Sequence, residues 1–244
     1  MNTKVTLATA GRILDQLRHD HRTLALLVAV PALMMVLLRY IFDDQRTFDR
    51  IGPMLLSIFP FMFMFVVTSV ATLRERTGGT LERLMTTPLG KLDLLIGYAL
   101  AFSAVGLAQV AVILGTSLLF LGLTVSGPLW ALVLIALLDA LLGVALGLFA
   151  SAFARTEFQA VQLMPAFVLP QALLCGLFAP RDAMHPVLSA LSDVMPLSYA
   201  VDAMSELTVS PELGSGFAAD AAVITVAALL SLLVGAATLP RRTP

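Results

Sequence analysis

The chain has 244 residues, of which 59% are hydrophobic and 13% are charged, and its formal net charge is −1. Soluble domains carry about 25% charged residues, and the mean hydropathy of +0.93 also indicates a chain built for lipid. These values exclude an ordinary water-soluble domain, and we expect no nucleic-acid partner. The single cysteine, Cys175, excludes an internal disulfide.

Residues 1–22 are predicted to form an amphipathic helix on the inner surface of a membrane. Apolar and charged positions recur there at helical spacing. The apolar set is Val5, Leu7, Ile13, Leu14 and Leu17, and the charged set is Arg12, Asp15, Arg18 and Asp20. A disordered tail is the alternative for this segment.

Residues 23–244 are predicted to form an all-α membrane domain with six spans. Charged residues are missing from 23–38, 51–73, 94–138, 158–180 and 221–240, and about 20 apolar residues cross a bilayer core. The longest of these stretches contains Ser126-Gly127-Pro128, a turn sequence, and is therefore two helices. The predicted spans are about 22–40, 52–73, 94–123, 129–152, 158–180 and 219–239. We expect an external polar turn over 40–50, and short external helices around Pro196, between spans five and six.

The distribution of Lys and Arg predicts the orientation through the positive-inside rule. With the N-terminus in the cytosol, the inner segments hold most of the basic residues. They are Lys4, Arg12, Arg18, Arg22, Arg74, Arg76, Arg83, Lys91, Arg155, Arg241 and Arg242. Both termini are therefore expected in the cytosol, with the protein in a bacterial inner membrane.

The segment between spans two and three is a charged loop that is predicted to carry a short cytosolic helix. Gly78-Gly79 permits a sharp turn, Thr80 is a helix N-cap, and Pro88 ends the helix. Its apolar side consists of Leu81, Leu84 and Met85, with Glu82, Arg83, Thr86 and Thr87 making up the rest. From the residues alone, it either docks on a soluble partner or rests on the lipid headgroups.

Three features inside the spans are candidates for function. Span two holds the aromatic and methionine cluster Phe59–Phe65, and span five holds Gln162 and Gln171. These residues either line a substrate path or pack without a transport role. Asp139 lies in the middle of span four, where an ionisable group is costly and marks a functional hypothesis; a structural hydrogen bond at a helix interface is the alternative. Gly143 and Gly147 follow it in a GxxxG pattern that favours close helix contact.

The chain lacks the motifs of an enzyme. A phosphate-binding loop reads G-x-x-x-x-G-K-[ST], whereas Leu92 follows Gly90-Lys91 here. The three histidines, His19, His21 and His185, fall on opposite sides of the membrane in the predicted topology. We therefore expect neither catalysis nor a bound cofactor or metal, and energy for any transport must come from elsewhere.

Two segments resemble the ABC-2 type transporter permeases, of which the daunorubicin-resistance-type drug exporters are one branch. Residues 74–89, Arg-Glu-Arg-Thr-Gly-Gly-Thr-Leu-Glu-Arg-Leu-Met-Thr-Thr-Pro-Leu, look like the coupling segment of that family. Residues 176–181, Gly-Leu-Phe-Ala-Pro-Arg, and 195–204, Met-Pro-Leu-Ser-Tyr-Ala-Val-Asp-Ala-Met, look like the segment that follows its fifth span.

The resemblance implies a transport subunit that works as a pair, either with a second copy or with a homologous permease. Two cytosolic ATP-binding subunits would bind ATP and Mg²⁺ and push on the coupling helix around Thr80–Thr87. The N-terminal helix would pack against that helix, and spans two and five would line the path. The path candidates are Phe59, Phe61, Met62, Phe65, Gln162 and Gln171.

The expected function is export of a hydrophobic or amphipathic compound, such as a drug, an antibiotic or a lipid-like molecule. One rival is a secondary transporter that couples an ion gradient through Asp139. Another is a structural or assembly protein of the membrane that transports nothing.

Overall fold

The computed structural model describes residues 3–78 and 90–238, and the regular secondary structure in that part of the chain is helical, with no strand. It contains nine α-helices and one short 3-10 turn, at Arg181–Ala183. The helices are α1 Thr3–His19, α2 His21–Phe42, α3 Gln45–Thr77, α4 Lys91–Leu119, α5 Leu129–Ser151, α6 Glu157–Leu174, α7 Pro186–Val194, α8 Pro196–Val209 and α9 Phe217–Thr238.

Five of these helices are long and apolar enough to cross a membrane. They are α2, α3, α4 from Asp93, α5, and α9 as far as Gly235. The all-α membrane class is thus confirmed. The remaining expected span corresponds to α6, which is 18 residues long and includes two prolines together with three glutamines. Its crossing of the membrane stays a prediction.

The connection between α2 and α3 differs from the expected turn over 40–50. Only Asp43 and Asp44 lie outside the helices, and Asp43 has the left-handed φ of 46° that reverses the chain. Asp44 then caps α3, since its carboxylate accepts hydrogen bonds from Thr47 N at 2.9 Å and Thr47 Oγ1 at 2.6 Å. This acidic N-cap stabilises the first turn of α3, so the helix begins several residues before its apolar run.

Helix α3 is the central helix, and its most extensive contact is with α5. The two run parallel, because Phe61 lies against Gly143 and Phe65 lies against Gly147. A Cβ placed on Gly147 would come within 2.6 Å of the Phe65 carbonyl oxygen, and one on Gly143 would overlap that of Phe61. The GxxxG pattern is therefore a close-contact surface, as the sequence predicted.

One end of the bundle contains α7 and α8, the two helices expected around Pro196. Helix α8 buries one complete face, which includes Leu197, Val201, Met204 and Leu207, and packs on α3 and α9. It belongs to the core, which the sequence pattern did not indicate. The turn between α4 and α5 is bonded to its end, where Gly127 N donates to Leu207 O at 2.8 Å.

Candidate functional site

The predicted coupling segment is bracketed by the end of α3 and the start of α4. Gly78, which closes α3 with a hydrogen bond from its N–H to Arg74 O at 2.9 Å, is its first described residue. Gly79, Thr80, Leu81, Glu82, Arg83, Leu84, Met85, Thr86, Thr87 and Pro88 lie outside the described residues. What the structure gives is the geometry of the two stems from which this segment extends.

The first stem is the last turn of α3, which includes three consecutive charged residues, Arg74, Glu75 and Arg76. The sequence reading placed these residues in a loop, whereas they are helical. An α-helix turns by about 100° per residue, so three successive side chains point in three directions. Each of them reaches a different neighbouring helix.

Glu75 is bonded to α1. Arg12 Nη1 donates to Glu75 Oε1 at 3.2 Å, and Arg12 Nη2 donates to Glu75 Oε2 at 3.0 Å. This two-point geometry fixes direction as well as distance. The two side chains are 30% and 14% exposed, so water screens this pair less than it screens a surface pair.

Arg74 and Arg76 are bonded to α6 and α5. Arg74 Nη2 donates to Glu157 Oε2 at 2.8 Å, at the first residue of α6. More than half of each side chain is exposed there, so this pair contributes little stability by itself. Arg76 Nη1 donates to the carbonyl oxygen of Ser151, the last residue of α5, and so satisfies a carbonyl that the helix end leaves free.

The second stem is the start of α4, and it is also bonded to α1. Thr6 Oγ1 donates to Asp93 Oδ1 at 3.2 Å within the protein interior. One turn further along α4, Gly97 is so close to α1 that an added Cβ would come within 2.8 Å of Thr9 Cβ. Helix α1 therefore touches both stems, through Thr6 and Thr9 on one side and Arg12 on the other.

The burial of α1 shows how it differs from a helix that only rests on lipid. Its buried residues are Thr6, Thr9, Ala10, Ile13 and Leu17, and they face the bundle. Leu7, counted in the sequence among the apolar face, is 61% exposed. We name α1 together with the stem residues Arg74, Glu75, Arg76 and Asp93 the inner junction.

Asp139 lies away from the inner junction, in the contact between α3 and α5. The residue is 0% exposed, and its Oδ2 accepts a hydrogen bond from Ser57 Oγ at 2.6 Å. Its Oδ1 has no partner among the described residues. The buried amide of the neighbouring α4, Gln109, donates to Leu27 O at 2.9 Å.

The candidate path residues divide by exposure. Phe61 and Phe65 are fully buried beside α5, while Phe59 and Met62 are partly exposed. On α6, Gln162 is exposed, and Gln171 is buried and donates to Phe167 O at 2.9 Å. Their role in a substrate path stays a prediction.

Several residues of this site were not found by sequence reasoning. Thr6, Ser57 and Asp93 belong to ordinary polar classes, and their partners are 82 to 87 residues away along the chain. Arg74, Glu75 and Arg76 attracted notice as a charged group, but their pattern gave no indication of three separate partners. The one usable signal in the sequence was Arg12, a charge on the amphipathic helix that is opposite in sign to Glu75.

Comparison with known proteins gives a consistent family. The family model for ABC-2 type transporters matches residues 3–208. The chain is 29% identical over 143 residues to the probable multidrug ABC transporter permease YbhS of Escherichia coli, a match covering 58% of this chain and 38% of that protein. It is 26% identical over 155 residues to the E. coli probable multidrug ABC transporter permease YbhR, covering 64% and 42%.

A third relative comes from another bacterial species. The linearmycin resistance permease protein LnrN of Bacillus subtilis is 26% identical over 148 residues, which is 60% of this chain and 38% of that protein. The matched region thus spans about two fifths of the length of these relatives. Since the family model nonetheless covers most of this sequence, from α1 through α8, the chain belongs to the ABC-2 type transporter family.

Proposed function

We propose that this chain is the membrane-spanning permease subunit of an ATP-driven exporter in a bacterial inner membrane. Its partners are a cytosolic ATP-binding subunit, which carries ATP and Mg²⁺, and a second permease, either a copy or a homologue. Both termini face the cytosol in this proposal. Family membership supports it, together with the multidrug and linearmycin-resistance permeases among the relatives.

The observation that carries the proposal is the attachment of α1 to both stems of the coupling segment. A partner that displaces residues 79–89 pulls on the end of α3 and the start of α4 at once. Because Arg12 bonds Glu75 and Thr6 bonds Asp93, α1 moves with both stems. The segment is thereby connected to a rigid unit, rather than to two helices that could slide independently.

The motion then passes to the rest of the bundle through α3. Arg74 and Arg76 hold the starting turn of α6 and the last turn of α5, and the glycine contact holds α5 against α3 further along. Close-packed helices transmit displacement because their interiors compress little. A push at the end of α3 therefore shifts α3, α5 and α6 together. Such a joint shift is what a transport path needs if it is to open to one side of the membrane and then to the other.

The proposed cargo is a hydrophobic or amphipathic compound. The candidate path residues on α3, Phe59, Phe61, Met62 and Phe65, are aromatic rings and a thioether, which adapt to varied apolar shapes. Gln162 and Gln171 on α6 would supply hydrogen bonds to polar groups of the cargo. The names of the multidrug and linearmycin-resistance relatives support this class of compound.

The test is reconstitution of the full chain with the ATP-binding protein that co-purifies with it. We expect ATP-dependent transport in inverted vesicles, and we expect Leu84→Asp to reduce it strongly by removing the apolar side of the coupling helix. The matched control is Leu213→Asp, at an exposed position in the loop between α8 and α9, outside the candidate membrane spans. It should leave ATPase co-purification intact. Purification with no nucleotide hydrolase, or full transport by Leu84→Asp, would contradict the proposal.

A further inference from the structure

A cavity of about 300 Å³ lies on the side of α3 that faces α1 and α4. Its apolar walls come from α3 and α4, in particular Val66, Val67, Val70 and Phe102. Its mouth is polar, with Asp20, Arg74 and Glu75. The wall from Val66 to Glu75 covers nine helical steps, or about 14 Å at 1.5 Å each. The cavity therefore leads from the charged end of α3 into the apolar part of the bundle.

The cavity is separate from the proposed cargo path. None of the path candidates lines it, and α6 does not contribute to it. The α3–α5 contact, where Phe61 and Phe65 meet the two glycines, involves different residues of α3. The inner junction does contribute, since Glu75 and Arg74 at the mouth are the residues bonded to Arg12 and Glu157.

A polar group inside the cavity has no partner within the protein. Tyr98 lines the cavity, is 2% exposed, and its hydroxyl makes no hydrogen bond to any described residue. Burying a hydroxyl without a hydrogen-bond partner is destabilising, so a ligand oxygen at this position would be stabilising. The cavity thus combines an apolar chain-shaped wall with one internal hydrogen-bonding point.

The charges at the mouth match a headgroup that carries both signs. Arg74 uses one N–H on Glu157 and leaves 55% of its side chain exposed, so its guanidinium has donors left for a phosphate. Asp20 accepts one hydrogen bond on each oxygen from Thr23, and each oxygen keeps a lone pair for an ammonium group. An acyl chain with a zwitterionic head satisfies both.

We propose that this cavity binds one acyl chain of a resident zwitterionic aminophospholipid from the inner leaflet, with the headgroup amine at Asp20 and the phosphate at Arg74. The cavity volume of about 300 Å³ is near the lower limit of ligand pockets, so it accommodates the first part of one chain and has no room for two. The second chain stays in the bilayer. The lipid fills the space between α1, α3 and α4, and so completes the packing of the inner junction. This inference rests on the inner-side orientation of the proposed function, but not on any cargo.

The test measures lipid retention by the full chain co-purified with its ATP-binding partner. The delipidated complex is exposed to mixed micelles of phosphatidylethanolamine or phosphatidylglycerol, and bound lipid is counted by native mass spectrometry. We expect about one phosphatidylethanolamine per chain, retained at least fivefold over phosphatidylglycerol. Val70→Trp, which fills the cavity, should reduce retention at least fivefold, and Tyr98→Phe should reduce it about twofold. Val226→Trp, on the exposed side of α9, should leave it unchanged.

A second measurement needs no substitution. Phosphatidylethanolamine with a photoreactive acyl chain should label peptides that contain residues 66–71 and 98–102. Labelling confined to α2 and α9, equal retention of both lipids, or equal retention by Val70→Trp and the unaltered chain would overturn the proposal. Release of the lipid on addition of ATP and Mg²⁺ would identify the occupant as a cargo and would overturn its resident role. All these readouts are independent of transport, so an inactive complex that still binds the lipid would count against the transport function alone.

Discussion

Arg12 and Glu75 form a two-point ion pair that joins the N-terminal helix to the last turn of α3, with N–O distances of 3.2 and 3.0 Å. The two residues are 63 positions apart, and Glu75 lies in the last turn of α3, three residues before its C-cap Gly78. The pair therefore lies at one of the two stems through which a force on the proposed coupling segment would enter the bundle. Its loss should affect coupling more than folding.

We expect Arg12→Gln and Glu75→Gln each to lower ATP-driven transport several-fold while the complex still assembles. Charged hydrogen bonds contribute about 1.5–3 kcal/mol, and each change leaves the remaining partner half-buried without its counter-charge. The double exchange, Arg12→Glu with Glu75→Arg, should recover part of the loss, because it restores the pair in reverse. Transport per ATP hydrolysed is the quantity to measure. Additive effects of the two single changes would show that the residues do not act together.

The contact of α3 with α5 predicts a strong dependence on Gly143. The Gly143→Leu variant should fail to give a monodisperse protein in mild detergent, because its side chain would occupy the position of the Phe61 carbonyl group, and a backbone group cannot move aside cheaply. Gly115→Leu is the matched control. Gly115 also lies inside a helix, α4, but an added Cβ there meets nothing within 4 Å. Size-exclusion profiles of the two variants should therefore differ clearly. Similar profiles would show that α3 and α5 are not in close contact.

The sequence was sufficient for the outline of the fold, because uncharged stretches of about 20 residues have few alternatives to membrane helices. It also indicated the Gly143–Gly147 surface, since small residues at a spacing of four lie on one helix face. It did not identify Phe61 and Phe65 as the opposite surface. Those residues are defined by tertiary packing, and the aromatic cluster around them contains several equivalent choices.

The limits of prediction are clearest at helix ends. Residues 74–76 were placed in a loop because they are charged, whereas α3 continues through them since each of the three side chains finds a partner on another helix. The start of α3 was likewise placed too late, because Asp44 supplies a cap that permits six mostly polar residues, 45–50, before the uncharged stretch. In both places a tertiary or capping interaction outweighs local hydrophobicity, which is the quantity that a span prediction reads.

Asp139 allows a direct choice between ATP-driven and ion-coupled transport. The side chain is inaccessible and is bonded to Ser57 between α3 and α5, which is the geometry of an internal link between helices. Asp139→Asn preserves this hydrogen bond and should retain most of the transport activity. Asp139→Leu removes the link and should destabilise the protein by about 1–3 kcal/mol, because Ser57 loses its buried partner. Transport rates and thermal midpoints of both variants are to be compared.

The ion-coupled alternative makes the opposite prediction for the same pair of variants. An ion-coupling carboxylate must change its charge, so Asp139→Asn would abolish transport while leaving the thermal midpoint unchanged. Dissipating the proton or sodium gradient would then stop transport by the unaltered chain even in the presence of ATP. If Asp139→Asn still transports, with the ion gradient intact and with it dissipated, Asp139 has a structural role.

The joint between α1 and α2 predicts a specific pH dependence. Asp20 caps α2 through hydrogen bonds from Thr23 Oγ1 at 2.6 Å and Thr23 N at 3.1 Å. These bonds, the side-chain one first, lower the pKa of Asp20 below its ordinary value of 3.8. Burial opposes them, and the nearby Arg74 and Arg22 make smaller lowering contributions to the pKa. A lowered pKa in the folded state means that the stabilisation is present above about pH 4 and is lost as the pH falls through the folded-state value.

We expect Asp20→Ala to reduce the free energy of unfolding by about 1 kcal/mol at neutral pH, as is usual for an N-cap. The difference from the unaltered chain should shrink as the pH falls below about 4, whereas Asp20→Asn should remain close to the unaltered chain at neutral pH because its amide oxygen still caps the helix. Thermal midpoints of the three proteins between pH 3 and pH 8 give the comparison, and a gap that stays constant down to pH 3 would show that the ionised carboxylate is not what holds the joint.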